Sequence, residues 1–258
     1  MQDPLENVLA PLNELARQTA ELVSRPLVDQ SDSGEATVLP SYLYFGPKGG
    51  GDPIRIGLFA GIHGDERAGV HGLVEFVQHL VRRPELAQGY QLFLYPICNP
   101  TGFRSNTRHS ASGKDLNREF WIDSREPEVR LLEGEIRARN FHGLVSLHAD
   151  DTSDGMYGFV RGAVLSKGLL EPALAAAEKV LPRNTGKLID GFPAENGIIS
   201  QCYDGILTSP PELHPLPFEI ILETPHLAPE DRQREACVAA LLAVLAEYQK
   251  LLAFAADL

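Results

Sequence analysis

Residues 54–66 read IRIGLFAGIHGDE and define the unit around which the rest of the chain is arranged. Its first part is apolar with one exception, as expected of a strand buried on both faces of a sheet. A turn of small residues follows and carries His63 and Glu66. An amphipathic helical pattern then begins at about Arg67. The stretch predicts a strand, a turn and a helix, with a histidine and a carboxylate at the turn that could hold a metal ion from one side.

Apolar and amphipathic segments alternate along the remaining chain. Predicted strands cover residues 38–45, 54–60, 90–96, 143–147, 155–161 and 218–222. Predicted helices cover residues 4–25, 67–81, 127–139, 168–180 and 229–254, and a long loop region covers residues 182–217. This alternation predicts one α/β domain over residues 1–258, with a mixed, mostly parallel β-sheet and helices on both of its faces.

The composition is that of an ordinary globular protein and narrows the classes of function. A chain of 258 residues is long enough to bury one sizeable core. A formal net charge of −12 without a basic patch argues against a nucleic-acid partner. The N-terminus lacks the pattern of a signal peptide, and the three cysteines are spaced neither as a disulfide framework nor as a metal knuckle. We therefore expect a cytoplasmic protein.

The longest apolar stretch, residues 236–256, is interrupted by Glu247 and Lys250. These charges favour a helix that faces the core or another subunit over one that spans a membrane. We expect no membrane partner, and the oligomeric state stays open.

Polar residues follow two further predicted strands at the point where each strand ends. His148 comes directly after residues 143–147, and Glu223 comes directly after residues 218–222. In an open α/β sheet, sites form beyond the carboxyl ends of the strands. Two histidines and a carboxylate are a set of three zinc ligands that leaves a fourth position for water. Glu223 is then available as the general base that a zinc-activated water requires.

Each of these residues also has a simpler explanation when it is considered alone. Glu66 suits the first turn of a helix, where the helix dipole favours a carboxylate. His148 could be a hydrogen-bonded core histidine, and Glu223 could be a strand-end carboxylate without a role. The metal hypothesis depends on the repeated placement of such residues at strand ends.

A family resemblance is carried by five motifs in order along the chain. They are GIHGDE at residues 61–66, NPTGF at 99–103, DLNR at 115–118, LH at 147–148 and LE at 222–223. In these motifs the chain resembles the zinc carboxypeptidase family, the carboxypeptidase A-like metallopeptidases, together with the succinylglutamate desuccinylases and aspartoacylases related to them. The resemblance implies a zinc carboxypeptidase/phosphorylase-hydrolase-like fold and one Zn²⁺ per chain. Its ligands would be His63, Glu66 and His148, a set that carboxypeptidase A also uses.

The same resemblance implies roles for residues on the substrate side. Arg108 would stabilise the oxyanion of the tetrahedral intermediate, and Asn117 and Arg118 would bind a substrate carboxylate, which an arginine fork can grip with two hydrogen bonds. Arg118 could instead form a structural ion pair. Tyr203 occupies roughly the position of a mobile tyrosine over the substrate, but it could equally be a surface tyrosine.

The chain departs from the peptidase pattern directly after His148. Asp150 and Asp151 follow within three residues, where peptidases commonly have a serine. These carboxylates could favour a basic group on the substrate, or they could form a solvated acidic loop.

Three functions are open at this point. The chain could be a metallocarboxypeptidase that acts on small peptides, or a hydrolase of N-acyl amino acids. It could also be a non-catalytic relative that binds a peptide carboxylate, although the presence of all three metal ligands and Glu223 speaks against this. The short region after Glu223, which predicts one helix and no β-rich domain, favours the carboxypeptidase, as does the position of Tyr203.

Overall fold

The computed structural model describes residues 3–29, 36–162 and 164–255. The helices in these ranges are α1 (Pro4–Gln18), α2 (Arg67–Arg82), α3 (Pro100–Ser105), α4 (Pro127–Arg139), α5 (Leu165–Ala177) and α6 (Glu230–Ala255). The strands of the first half are β1 (Leu22–Ser24), β2 (Leu27–Asp29), β3 (Thr37–Leu39), β4 (Tyr42–Phe45), β5 (Ile54–Ala60) and β6 (Tyr90–Tyr95). The strands of the second half are β7 (Gly143–Asp150), β8 (Tyr157–Gly162), β9 (Leu188–Ile189), β10 (Phe192–Glu195), β11 (Ile198–Ile199) and β12 (Phe218–Pro225).

One ten-stranded sheet organises the fold, in the order β1-β4-β6-β5-β7-β12-β8-β11-β10-β9. The four central strands, β6, β5, β7 and β12, run parallel to one another. Antiparallel pairs, such as β4 with β6 and β12 with β8, flank this centre. The predicted fold class, a mixed α/β domain with a mostly parallel central sheet, is confirmed. Because β5, β7 and β12 are parallel neighbours, their carboxyl ends meet at one edge of the sheet.

Both faces of the central sheet are covered, which explains why its strands are apolar at nearly every position. On one face, Ile56 and Leu58 of β5 are buried in a cluster with residues of α1, α2, α5 and α6. On the other face, Phe59 of β5 is buried with Leu132 and Ile136 of α4. Successive residues of a strand point to opposite faces, so β5 contributes to both cores in turn.

The first predicted helix ends earlier than residue 25. Helix α1 ends at Gln18, because Thr19 already has an extended backbone with φ of −127° and ψ of 151°. The apolar Leu22, which fits the helical spacing, instead pairs with Tyr44 in the sheet. The apolar spacing typical of a helix therefore continues past the end of α1, although Leu22 itself belongs to a strand.

Two other predicted segments are divided differently. The single strand expected over residues 38–45 is two strands, β3 and β4, separated at Pro40 and Ser41. Proline has no N–H to donate to a ladder, so it interrupts a strand. The loop region expected over residues 182–217 contains the short strands β9, β10 and β11, which extend the sheet at one edge.

Helix α6 is long and apolar enough to cross a membrane by length and composition. Its inner face is nevertheless part of the main core, where Ala240, Leu241 and Val244 are buried. It packs along α2 and α5. Its inner face therefore packs on the core, which is one of the two positions predicted for this helix.

Candidate metal centre and substrate cavity

Glu66 lies between the two histidines that the sequence singled out. Its Oε1 is 2.6 Å from His63 Nδ1, and its Oε2 is 3.0 Å from His148 Nδ1. The backbone N–H of Ala149 also donates to Oε2 at 3.1 Å. All three side chains are buried, with at most 5% of their surface exposed. The three predicted metal ligands therefore meet at one point.

The turn after β5 brings His63 and Glu66 to this point by close packing of glycines. Gly61 has a φ of +61°, a conformation that favours glycine. A Cβ on Gly64 would lie 2.0 Å from the carbonyl carbon of Gly102, so only glycine lets the turn reach α3. Glu66 immediately precedes α2, yet its side chain makes no capping hydrogen bond. Helix capping therefore does not explain Glu66, whose carboxylate is turned to the histidines instead.

The sheet register places Glu223 beside His148. In the parallel pairing of β12 with β7, Glu223 is the partner of His148. In the antiparallel pairing of β12 with β8, it lies opposite Tyr157. Both His148 and Glu223 lie inside their strands, which run three residues further than predicted. Paired residues of neighbouring strands share a face, so both side chains point to the same side of the sheet.

The donor set fits a metal ion. One ligand atom from each of His63, Glu66 and His148 lies within 4.8 Å of the others. The second nitrogen of His63, Nε2, is 3.0 Å from Asp115 Oδ1, and a carboxylate there keeps the proton on Nε2. Burial lowers the pKa of His63, but Glu66 and Asp115 outweigh it and raise the pKa, so that without a cation a protonated His63 can donate to both carboxylates. A bound cation would take the place of the proton on Nδ1. His148 Nε2 is buried without a hydrogen-bond partner among the described residues.

The ionisable side chains of the centre shift one another's pKa values. Burial opposes the ionisation of Glu66, but His148 and His63 outweigh it and hold the pKa of this carboxyl far below its usual range. Burial likewise opposes the ionisation of Asp115, yet His63 and Arg108 lower its pKa strongly. Burial lowers the pKa of His148 and so favours the neutral imidazole that a metal requires. The centre thus holds two carboxylates and an unprotonated donor.

Glu223 has the opposite electrostatic environment. Burial, followed by the nearby charges of Glu66, Asp150 and Asp190, raises the pKa of its carboxyl well above the ordinary value. A carboxyl group with a raised pKa can accept and return a proton near neutral pH. This property is the one required of a general base beside a metal.

Arg108 already has an anionic partner within the chain. Its Nε and Nη2 donate to Asp115 Oδ2 at 3.1 and 2.9 Å, and its Nη1 is 3.6 Å from Glu66 Oε1. Its side chain keeps 40% of its surface exposed, toward the cavity that it lines. Arg108 is therefore held beside the metal centre without depending on a substrate for its counter-charge.

Asn117 and Arg118 are held by contacts that leave donors free. Asn117 Oδ1 accepts the backbone N–H of Leu207 at 2.8 Å, so its amide N–H groups remain to donate into the cavity. Arg118 Nη1 donates to the carbonyl of Asn117 at 2.7 Å. The Arg118 guanidinium lies over the ring of Tyr203, 4.2 Å from its centre. Within the described part of the chain Arg118 forms no ion pair, so the structural ion pair considered for it is not found.

Tyr203 lies at the rim of the same cavity. Its hydroxyl donates to Asp190 Oδ1 at 3.0 Å, and its ring packs nearly perpendicular to that of Phe192, with 4.8 Å between the ring centres. It is 37% exposed, but its contact with Arg118 sets it apart from a plain surface tyrosine.

One cavity of about 440 Å³ joins these groups. Its lining includes all the site residues that the sequence predicted, namely His63, Glu66, Arg108, Asn117, Arg118, His148, Tyr203 and Glu223. Asp150 and Asp151 also line it, so these carboxylates face the cavity and do not form a purely solvated loop. A polar cavity of this size next to a metal-binding set can hold a small substrate.

Three residues of the site were missed by the sequence analysis. Asp115 begins the DLNR motif, so the motif itself was a signal that it acts with Asn117 and Arg118. Tyr157 donates its hydroxyl to Asp150 Oδ2 at 2.9 Å, and its register opposite Glu223 could not be known before the sheet order. Asp190 sits in a turn between β9 and β10, where no periodic pattern gave a signal.

Comparison with known proteins supports the resemblance through one family model and through several solved structures. The family model of the succinylglutamate desuccinylase/aspartoacylase catalytic domain matches residues 53–167. These residues carry His63, Glu66 and His148 but end before Glu223. No curated protein matches the sequence.

Solved structures share the fold over nearly the whole chain. A provisionally assigned metallopeptidase from Shewanella denitrificans is 22% identical, with a TM-score of 0.75, over 95% of this chain and 90% of that one. A metallo-carboxypeptidase from Burkholderia cenocepacia is 17% identical, with a TM-score of 0.69, over 95% and 69% of the chains. A metallo-carboxypeptidase from Pseudomonas aeruginosa, in complex with (2-guanidinoethylmercapto)succinic acid, is 19% identical, with a TM-score of 0.67, over 94% and 68%. At these identities the likeness establishes the fold alone.

Proposed function

We propose that this chain is a zinc-dependent hydrolase of an amide bond next to a free carboxylate. Its resemblance to the zinc carboxypeptidase-like family with its desuccinylase/aspartoacylase branch is confirmed. The activity that we favour is that of a metallocarboxypeptidase acting on small peptides in the cytoplasm. One observation carries the proposal: the convergent donors of His63, Glu66 and His148 open onto the cavity that also contains Glu223 and Arg118.

Two imidazole nitrogens and a carboxylate suit zinc, and one zinc ion per chain is proposed. Such an ion, when bound, supplies a water of lowered pKa and polarises a carbonyl group. Glu223 takes the proton from the attacking water and passes it to the leaving amine, a role that its raised pKa suits. The Arg108 guanidinium, oriented by Asp115, offers N–H donors to the oxygen on which negative charge develops.

The free carboxylate of the substrate is assigned to Asn117 and Arg118, which line the same cavity. The Asn117 amide is turned so that its N–H groups face inward, since its oxygen is occupied by Leu207. The Arg118 fork is restrained by the Asn117 carbonyl and the Tyr203 ring, which reduces the rotamer freedom lost on binding. Together they offer the parallel donors that a carboxylate prefers.

The alternative is an N-acyl-amino-acid amidohydrolase of the succinylglutamate desuccinylase/aspartoacylase type. The family-model match over residues 53–167 favours it. Both reactions use the same metal centre, general base and carboxylate site, and they differ in the acyl group that occupies the rest of the cavity. A non-catalytic carboxylate-binding protein is the third and weakest alternative.

Metal analysis and substrate assays separate these functions. We expect about one zinc per chain after reconstitution, and hydrolysis of hippuryl-type peptides by the zinc-loaded protein. Turnover of N-acetyl- or N-succinyl-amino acids alone would establish the acylase and rule out the carboxypeptidase. Failure to bind zinc would overturn both enzymatic functions, and zinc binding without turnover of either substrate class would leave the non-catalytic protein.

A further inference from the structure

A buried stretch without regular secondary structure lies beside the carboxylate-binding side chains. We call residues 205–209 the support segment, and its residues 206–209 are buried. Ile206 of this segment lines the substrate cavity. Buried backbone N–H and C=O groups have to be hydrogen-bonded, and a segment outside helices and sheets takes its partners from elsewhere in the chain. The partners of the support segment therefore determine how this wall of the cavity is held.

The support segment is joined to the carboxylate-binding residues by close backbone contacts. Asn117 Oδ1 accepts the backbone N–H of Leu207 at 2.8 Å, which leaves the amide N–H groups of Asn117 for the cavity. The carbonyl of Gly205 accepts the backbone N–H of Phe120 at 3.0 Å. Gly205 has a φ of +70°, and a Cβ there would lie 2.3 Å from the carbonyl oxygen of Arg118. A displacement of the support segment would therefore change the orientation of the Asn117 amide.

One peptide unit of the support segment is hydrogen-bonded at both of its ends. The carbonyl of Thr208 accepts the indole Nε1–H of Trp121 at 3.0 Å. The N–H of Ser209, which belongs to the same peptide unit, donates to Glu219 Oε1 at 2.7 Å. Hydrogen bonds that share one peptide unit polarise and strengthen each other. Loss of the Trp121 donor would deprive a buried residue of this bond and would weaken the bond to Glu219 as well.

Trp121 makes this contact from an unusual backbone conformation. Its φ is +63°, in the left-handed region where a bulky residue is a rare outlier. Two contacts hold it there: its backbone N–H donates to Glu133 Oε1 at 2.6 Å, and the Arg137 guanidinium lies over its ring. Burial of the ring does not account for the arrangement, since Trp121 is only partly buried. Strained residues that the surrounding structure holds in place cluster at functional sites, so this outlier points to a role for Trp121.

We propose that Trp121 is a positioning residue for substrate binding. Its indole N–H fixes the support segment, and the support segment keeps the Asn117 amide oriented with its N–H groups toward the cavity. Trp121 itself lies outside the cavity, so it acts on binding through Asn117 and not on the bond that is hydrolysed. The role rests on the proposed function in requiring a substrate carboxylate at Asn117, and it holds for a peptidase and for an acylase.

Trp121→Phe tests the role, because it removes the indole N–H and keeps an aromatic ring beneath Arg137. In the zinc-loaded variant we expect KM to rise about two- to tenfold, which corresponds to one neutral hydrogen bond, and kcat to stay within about twofold. Zinc content should not change. Tyr44→Phe is the matched control, because the Tyr44 hydroxyl also donates to a backbone carbonyl, that of Leu80, at 3.0 Å, and lies outside the cavity.

The two variants should both lower Tm, but only Trp121→Phe should raise KM. An unchanged KM in Trp121→Phe, or an equal rise of KM in the control, would overturn the proposal.

A second measurement keeps Trp121 in place and does not depend on the folding of the Trp121→Phe variant. If the indole hydrogen bond favours carboxylate binding by some factor, a bound carboxylate must favour the hydrogen bond by the same factor. Trp121 is the only tryptophan of the chain, so its indole N–H gives a single NMR signal. In the zinc-loaded Glu223→Gln protein, chosen to prevent turnover, saturating N-acetyl-L-leucine should slow solvent exchange of this N–H by about two- to tenfold. N-acetyl-L-leucinamide, which has no carboxylate, should not slow it.

Equal exchange rates with and without N-acetyl-L-leucine would overturn the positioning role. Equal slowing by the two ligands would also overturn it, because a general stabilisation of the protein accounts for that result. If no substrate is hydrolysed by the wild-type protein, the proposed function fails, while slower exchange with the carboxylate ligand alone still supports the role of Trp121.

Discussion

Asp115 and His63 are joined by a hydrogen bond of 3.0 Å between Oδ1 and Nε2, while Oδ2 of the same carboxylate accepts two N–H groups of Arg108. One half-buried side chain therefore orients both a metal ligand and the arginine assigned to the oxyanion. Asp115 also accepts the backbone N–H of Asn117 at 2.9 Å, which connects it to the carboxylate side of the cavity. Asp115 therefore contacts residues of both the metal centre and the substrate site.

Replacing Asp115 by Asn should weaken zinc binding by about 10- to 100-fold, because the carboxylate that holds the proton on His63 Nε2 is lost. The measurement is competition for zinc against a chelator of known affinity. Asp123→Asn is the matched control, since Asp123 is exposed and lies outside the cavity. Unchanged zinc affinity in Asp115→Asn would contradict the supporting role of Asp115.

The Glu223→Gln variant should retain one zinc per chain and lose about 100- to 10,000-fold in kcat, because Gln cannot accept the proton of the attacking water. Zinc content is measured by elemental analysis and kcat by the preferred substrate. Glu235→Gln, on the outer side of α6, should change neither quantity. Undiminished turnover in Glu223→Gln would rule out Glu223 as the base.

Arg118→Lys should raise KM by about tenfold or more, because an ammonium group lacks the planar fork that grips a carboxylate with two hydrogen bonds. Arg137→Lys is a matched control: the Arg137 guanidinium also stacks on an aromatic ring, that of Trp121, at 4.6 Å, but lies outside the cavity. The control should leave KM unchanged. Equal effects of the two substitutions would show that loss of stacking, and not loss of the carboxylate contact, is responsible.

Glu128 in the first turn of α4 allows a test of pH dependence away from the metal centre. Burial, reinforced by the nearby charge of Glu126, raises its pKa above the ordinary value of 4.5. A carboxyl whose pKa is raised by folding contributes its full stability below the unfolded-state pKa and loses it as the pH rises through the folded-state pKa. Glu128→Gln should therefore raise Tm at pH 8 relative to the wild-type protein and change it little at pH 4. Thermal unfolding at pH 8 and at pH 4 measures this difference, with Glu85→Gln at an exposed position as the control. An equal change in Tm at the two pH values would refute the prediction.

Much of the fold followed from local patterns. The strand over residues 54–60 and the helix over residues 127–139 lie at the predicted bounds, because each is an uninterrupted pattern with clear turn residues on both sides. The short strands β9 to β11 were not predicted. Strands of two to four residues leave almost no periodic signal, and they form only because the edge of an existing sheet is available for pairing.

The candidate site was anticipated to a similar extent. Residues with unusual chemistry at strand ends, such as His148 and Glu223, were recognised because parallel strands deliver their ends to one edge. Asp190 and Trp121 were not recognised, since their significance depends on which loop packs against them. Trp121 in particular is an ordinary aromatic residue until its indole N–H is found bonded to the carbonyl of Thr208.

From the sequence alone came the alternation of strands and helices, the turn that carries His63 and Glu66, and the residue types able to bind a metal, because these properties are local. The three-dimensional packing was needed to show that Glu66 turns away from the helix it precedes and lies between two histidines. It was also needed to show that Asp115, 52 residues from His63, supports it. Such contacts arise from strand order and register, in which residues far apart in the chain become neighbours, and no local pattern encodes the distance between them.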